Sequence, residues 1–235
     1  MKQPNFYLVV FSFFLIITLY GCASNEIGES KDVAQETIYQ QYNVSYKEGD
    51  DIATVIARFR FAGEDGTTLV LNRPGSVQFD GVALSVDSSD FEGAFYKKSL
   101  SAGRFFGNHQ FRFTDINKRK YDNDFSFDLF SLANLPESAE KNQPLRLQFQ
   151  PLILGPGDYI ELGTIDTDSS FSVTFSAKDT GEFITIPLEE LQRQKGEQLI
   201  IAATLYRKFP LQQHTPEGGM LEMEYALKPV TIKLK

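Results

Sequence analysis

From Thr37 onward, apolar and polar residues alternate with a period of two along most of the chain. This period places successive side chains on opposite faces of an extended strand, which buries one face and leaves the other wet. Such strands are typical of antiparallel sheets. The pattern therefore predicts an all-β fold, an antiparallel β-sandwich with alternating phenylalanines in its core. The phenylalanines concerned are Phe59, Phe61, Phe111, Phe113, Phe125 and Phe127.

Turn sequences that contain glycine separate the alternating runs. Asp80-Gly81 lies between two apolar runs and is a strong hairpin signal, because a tight hairpin turn needs residues that tolerate positive φ. A helical pattern is confined to 187–194, where Pro187 suits a first turn and leucines recur three residues apart. We expect one hairpin at the first site and one short helix or turn at the second.

A polar stretch with two prolines, 133–144, interrupts the alternation. About 100 residues lie on each side of it, which is enough for one sandwich each. We therefore predict two tandem immunoglobulin-like β-sandwich domains, 37–135 and 136–235. The term describes architecture only, because the Cys-Trp-Cys pattern of antibody domains is absent. One larger sandwich or barrel is the alternative, since a polar loop of this length also fits within a single domain.

The start of the chain has a different composition. Lys2 precedes an apolar run from Phe6 to Tyr20, and the run ends in Leu19-Tyr20-Gly21-Cys22, which contains the only cysteine. The run is too short for a spanning helix but suits the apolar region of a signal peptide. It resembles the start of bacterial lipoprotein precursors, whose lipobox ends in a small residue followed by the cysteine that is acylated.

The resemblance implies a signal peptide over 1–21 and lipidation of Cys22, with fatty acids such as palmitate holding the mature protein on a bilayer. Ala23, rather than an aspartate, follows the cysteine, which favours the outer membrane over the inner one in a Gram-negative cell. The acidic segment 22–36 has no apolar periodicity and is expected to be a flexible tether. The alternatives are an uncleaved N-terminal membrane anchor and ordinary signal-peptide cleavage, against which the bulky Leu19 and Tyr20 argue.

Composition narrows the possible partners. The net charge of −8 and the lack of a large basic block argue against nucleic acid as a partner and against electrostatic attraction to anionic lipids. Membrane contact is therefore expected through the lipid anchor, and a protein of the cell envelope is the expected partner. No phosphate loop or dinucleotide fingerprint occurs, so we expect no cofactor.

Residues with catalytic or metal-binding chemistry are few. His109 and His214 are expected to be exposed in loops, and neither lies in a recognisable catalytic triad. Two oxygen-rich segments, one with Asp122 and Asp124 and one with Asp166 and Asp168, are predicted to be loops. They are weak calcium candidates, because both depart from the EF-hand pattern. We expect no metal site. The basic cluster 118–120 is interpreted as a solvated hairpin tip.

Three hypotheses about function follow from these observations. The first is a lipid-anchored, non-enzymatic bacterial cell-envelope protein with a binding or assembly role. The second is a surface module that binds glycans or other nutrients, which an aromatic groove on one sheet would favour. The third is a hydrolase that depends on carboxylates, although no motif indicates which pair would act.

Overall fold

Strand formation follows the alternating segments. The computed structural model describes residues 27–89, 92–150, 154–164, 172–176 and 183–235. Within these ranges, strands predominate and the single α-helix, α1 (Leu188–Arg193), lies where a short helix is predicted. The predicted all-β class is confirmed. The strands are β1 (Ile27–Glu29), β2 (Ile38–Lys47), β3 (Ile52–Phe61), β4 (Thr68–Val70), β5 (Ser76–Phe79), β6 (Val82–Ala83), β7 (Ser85–Ser89), β8 (Gly93–Ser101), β9 (Gly107–Thr114), β10 (Lys120–Phe127), β11 (Ser131–Ala133), β12 (Ser138–Ala139), β13 (Leu145–Gln150), β14 (Tyr159–Thr164), β15 (Ser172–Ser176), β16 (Ile184–Ile186), β17 (Gln198–Pro210), β18 (Gly219–Ala226) and β19 (Val230–Leu234).

The largest sheet, called the main sheet below, contains strands from both halves of the chain. Its path runs β1-β4-β3-β2-β18-β17-β14-β15, with β8 and β7 beside β3, and β19 and β12 beside β17. β2 and β18 pair in parallel, from Gln40 opposite Gly219 to Lys47 opposite Ala226. Strands on either side of residue 135 therefore share hydrogen bonds. The division into domains 37–135 and 136–235 stays a prediction.

Two smaller sheets complete the fold, β10-β9-β5-β6 and β11-β13-β16. The first packs face to face on the main sheet, where the Tyr42 ring stacks on Phe111 at 4.4 Å between centroids. The second contributes Leu147 and Ile184 to the same continuous apolar core. The sheets are thus packed as a sandwich, and the buried side chains come from alternate positions, as the period of two requires.

The local turn predictions are confirmed. Asp80 and Gly81 join β5 to β6 with φ values of 49° and 75°, and Phe79 pairs with Val82 across the turn. Positive φ at both central residues is the geometry of the two-residue turns that suit hairpins. The basic cluster 118–120 lies at and beside the turn that joins β9 to β10, as predicted.

The prediction of a flexible tether over 22–36 is wrong for the part that the structure describes, 27–36. β1 pairs in parallel with β4. The Ser30 Oγ accepts a hydrogen bond from the Asn72 backbone N–H at 2.9 Å, and the Gln35 Nε2 donates to the Ser30 carbonyl at 2.7 Å. Polar side chains with satisfied hydrogen bonds hold this segment, so it needs no apolar periodicity.

Candidate functional site

The calcium candidates Asp122 and Asp124 lie within strand β10, not in a loop. The Asp122 carboxylate accepts two hydrogen bonds from the Arg112 guanidinium, at 2.6 and 3.0 Å. This pairing lowers the pKa of Asp122. Asp124 accepts a hydrogen bond from the Gln110 Nε2 at 2.9 Å. The loop prediction is wrong because these acidic residues are the outward positions of an alternating strand.

No group of three or more His, Cys, Asp or Glu residues within the described ranges is arranged to hold a metal ion. Asp166 and Asp168, the other calcium candidates, lie outside the described residues, as does the lipidation candidate Cys22. No helix among the described residues is long and apolar enough to cross a membrane.

His109 is buried, so the prediction of an exposed loop histidine is wrong at this position. Its Nδ1 lies 2.8 Å from Oδ2 of Asp80, and its Nε2 lies 2.8 Å from the carbonyl oxygen of Phe105. The ring also stacks on Phe79 at 5.1 Å. Both nitrogens face oxygen acceptors, which leaves neither one available as a base toward a nucleophile. His214 lies in a loop and is exposed, as predicted.

A cavity lined by aromatic, charged and polar side chains lies on the outer face of the main sheet, and we call it the sheet groove. Its volume is about 290 Å³, near the lower limit of small-molecule sites. Five strands from both halves of the chain contribute to it. Its main side chains are Asn43, Ser45, Ile56, Tyr159, Tyr206, Lys208, Glu222 and Glu224.

Strand register explains how these side chains meet. Tyr206 on β17 lies opposite Tyr159 on β14 and opposite Glu224 on β18. Directly opposed residues on one face have Cβ atoms about 5 Å apart, close enough for their side chains to touch. A second row follows the same rule, because Glu222 lies opposite both Lys208 and Asn43. Together the two rows form a polar strip across the sheet.

The tyrosine pair gives the groove an aromatic side. The rings of Tyr159 and Tyr206 are stacked, with centroids 4.6 Å apart and planes 16° from parallel. The Tyr206 hydroxyl lies 3.5 Å from Oε2 of Glu161. Burial, followed by the charges of Glu224 and Glu161, raises the pKa of Tyr206 to about 12. The hydroxyl therefore stays protonated at neutral pH and can donate a hydrogen bond.

The cations beside the groove already have carboxylate partners. Lys208 Nζ lies 3.0 Å from Glu222 Oε1, and this contact raises the pKa of Lys208. Asn43 Nδ2 donates to the other Glu222 oxygen at 3.3 Å. Arg207 Nε lies 3.7 Å from Asp158. The side chain of Glu224, by contrast, is exposed and makes no hydrogen bond or ion pair with any residue in the described part of the chain.

The groove is not apparent from the sequence. The alternation in 221–225 places Glu222 and Glu224 on one face of a strand, which was visible in the sequence. The pairing of β18 with β2 was not predictable, because β2 precedes β18 by about 180 positions in the chain. The two tyrosines come from strands β14 and β17, and only the register shows that they are adjacent.

Comparison with known proteins does not assign the chain to a family. No family model matches the chain, and no curated protein matches it. The crystal structure of DIP-gamma IG1+IG2 is 10% identical over 80% of this chain and 94% of that one, with a TM-score of 0.23. The structure of the Yersinia pseudotuberculosis adhesin InvE is 11% identical over 86% of this chain and 60% of that one, with a TM-score of 0.24. The crystal structure of Dpr11 IG1 bound to DIP-gamma IG+IG2 is 10% identical over 80% of this chain and 94% of that one, with a TM-score of 0.24. Scores this low carry no argument about function.

Proposed function

We propose that this protein is a lipid-anchored, non-enzymatic component of the bacterial cell envelope that binds a small polar ligand in the sheet groove. The anchoring part of the proposal is supported by Leu19-Tyr20-Gly21-Cys22, which resembles a lipobox. Acyl chains on Cys22 would hold the folded part at a membrane surface. Ala23 favours the outer membrane.

The binding part of the proposal is carried by one observation, the composition of the sheet groove. Stacked tyrosines supply an apolar face, while Glu224, Ser45 and Asn43 supply hydrogen-bonding groups beside it. Ligand sites in proteins combine these features, a concave surface with a few convergent polar groups. A role in assembly with an envelope protein partner would use the same face of the main sheet.

A surface glycan-binding or nutrient-binding module is the version of this proposal that the tyrosine pair favours. Sugar rings present apolar C–H faces, which pack on aromatic rings, and hydroxyls, which bind carboxylates and amides. The alternative of a carboxylate-dependent hydrolase has less support. The Asp122 carboxylate forms an ion pair with Arg112, and the Glu222 carboxylate forms one with Lys208, so neither is free to act as a general acid or base.

Labelling of cells with a palmitate analogue tests the anchoring. We expect label on the natural chain and none on Cys22→Ser, because a hydroxyl does not replace the thiolate as acyl acceptor. Cys22→Ser should accumulate as unprocessed precursor. Label that persists on the Cys22→Ser protein would show that the lipid-anchor proposal is wrong.

Thermal denaturation of the full chain in detergent, with a panel of mono- and oligosaccharides, tests the binding. A ligand that occupies the groove should raise the Tm, because binding to the folded state alone stabilises it. Tyr159→Ala and Tyr206→Ala should abolish this rise. Tyr39→Ala is the matched control, since Tyr39 lies on the same face of β2 but does not line the groove. Turnover of a saccharide that Glu222→Gln abolishes would favour the hydrolase instead.

A further inference from the structure

We infer that the ligand of the sheet groove carries a positive charge, in the form of a primary ammonium group on a small polar body. The inference rests on the proposed binding role and specifies its chemistry. It is based on which charges in the groove are paired, on the tyrosine stack, and on the position of Glu224, whose carboxylate has no partner among the described residues.

The charged side chains of the groove can be sorted into pairs. Lys208 is bound to Glu222, and Arg207 lies beside Asp158. Glu224 has no such partner among the described residues. Because every cation at the groove is compensated and the Glu224 carboxylate is not, the groove has a local excess of negative charge. A ligand with a positive charge would offset it.

The aromatic side of the groove favours the same ligand. Tyr206 lies directly opposite Glu224 across the β17–β18 pair, and Tyr159 stacks against Tyr206 from β14. An ammonium group placed between the carboxylate and the rings gains a charge-assisted hydrogen bond and a cation–π contact together. A neutral ligand would gain neither, and an anion would meet Glu224 with like charge.

The other cavities of the described chain fit a ligand less well. The cavity beside Asp80 and Asp124 borders His109, whose ring nitrogens both face oxygen acceptors. A larger cavity is lined by Lys141, Lys233 and Lys235, with no aromatic side chain. Of these three cavities, only the sheet groove combines a stacked tyrosine pair with a carboxylate that accepts no hydrogen bond within the described chain.

An ammonium group can come from an amino sugar or from a lysine side chain, and two matched probe pairs distinguish these sources. We would add glucosamine or N-acetylglucosamine, and Nα-acetyl-lysine amide or its Nε-acetylated form, to the full chain in detergent. Dissociation constants would come from protein-detected NMR titration. Acetylation removes the positive charge and keeps most of the molecular shape. We expect at least one charged probe to bind about five- to tenfold more tightly than its acetylated partner.

Glu224→Gln should remove this preference, because it keeps the shape of the side chain and deletes its charge. Glu189→Gln is the control, since Glu189 is an exposed residue of α1 away from the groove. Equal affinity for the charged and acetylated forms would overturn the ammonium inference and leave the proposed binding role intact. If none of the four probes shifts groove resonances, the inference fails, while the saccharide panel separately decides the binding role.

Discussion

Along β3, a step of two positions separates a core side chain from a surface one. Phe59 is fully buried and packs against Phe113 at 4.5 Å between ring centroids. Phe61 is 41% exposed, although the alternation places it on the same face. It is the last residue of β3 and is followed by Ala62 with φ of 60°. The prediction that Phe61 faces the core is therefore wrong.

These two phenylalanines provide a matched test of the core. Phe59→Ala should lower the free energy of unfolding by ~3–5 kcal/mol, because it leaves a cavity between packed sheets. Phe61→Ala should lower it by about 1 kcal/mol or less, as substitutions at exposed positions do. Urea denaturation followed by circular dichroism measures both values. Similar losses for the two variants would contradict the packing described for the end of β3.

The sequence predicts which face of a strand a residue occupies, but not how far the opposing sheet extends. The alternation of apolar and polar residues alone places five of the six named phenylalanines correctly in the core. It fails at Phe61, where β3 ends. The same limit explains His109, which occupies an inward position of β9 just after a glycine turn. Its acceptors, Asp80 and the Phe105 carbonyl, come from outside that strand.

At the element scale, two glutamine side chains cover the free edge of β10. The Asp122 backbone N–H donates to the Gln213 Oε1 at 3.0 Å, and the Asp124 backbone N–H donates to the Gln212 Oε1 at 2.9 Å. Gln212 Nε2 in turn donates to the Asp124 carbonyl at 2.8 Å. These amides take the place of a neighbouring strand beside Asp122 and Asp124 and so cover that part of the edge.

Loss of these side chains should open the edge. We expect the double variant Gln212→Ala/Gln213→Ala to be less stable by about 1–3 kcal/mol, because it leaves backbone groups of β10 without protein partners. Amide hydrogen exchange at Asp122 and Asp124 should accelerate, and the control Gln192→Ala, on the exposed face of α1, should leave it unchanged. Unaltered exchange in the double variant would show that the glutamines do not protect the edge.

Local elements were predictable because their signals lie within a few residues. The Asp80-Gly81 hairpin and α1 are of this kind. The edge cover is not, since Gln213 and Asn123 exchange two hydrogen bonds across 90 positions of the chain. The sheet groove is equally non-local, because Asn43 meets Glu222 only through the parallel pairing of β2 with β18.

At the scale of the whole molecule, β18 joins the two halves. It pairs with β2 on one side and with β17 on the other. Its Tyr225 ring lies 5.5 Å from Tyr46 and 5.4 Å from Phe127, both in the first half. If the chain formed two domains divided at residue 135, Tyr225 would belong to the second domain, and the first domain would not contain these contacts. The halves are therefore expected to depend on each other for stability.

A fragment of residues 27–135 tests this dependence. It lacks β18, so the edge of β2 and the aromatic surface around Tyr46 and Phe127 would be open to water. We expect the fragment to aggregate or to give a poorly dispersed NMR spectrum, whereas the full chain should unfold in one transition with coincident urea midpoints by circular dichroism and tyrosine fluorescence. Two separate transitions in the full chain, or a soluble and well-dispersed fragment, would instead favour independent domains at 37–135 and 136–235.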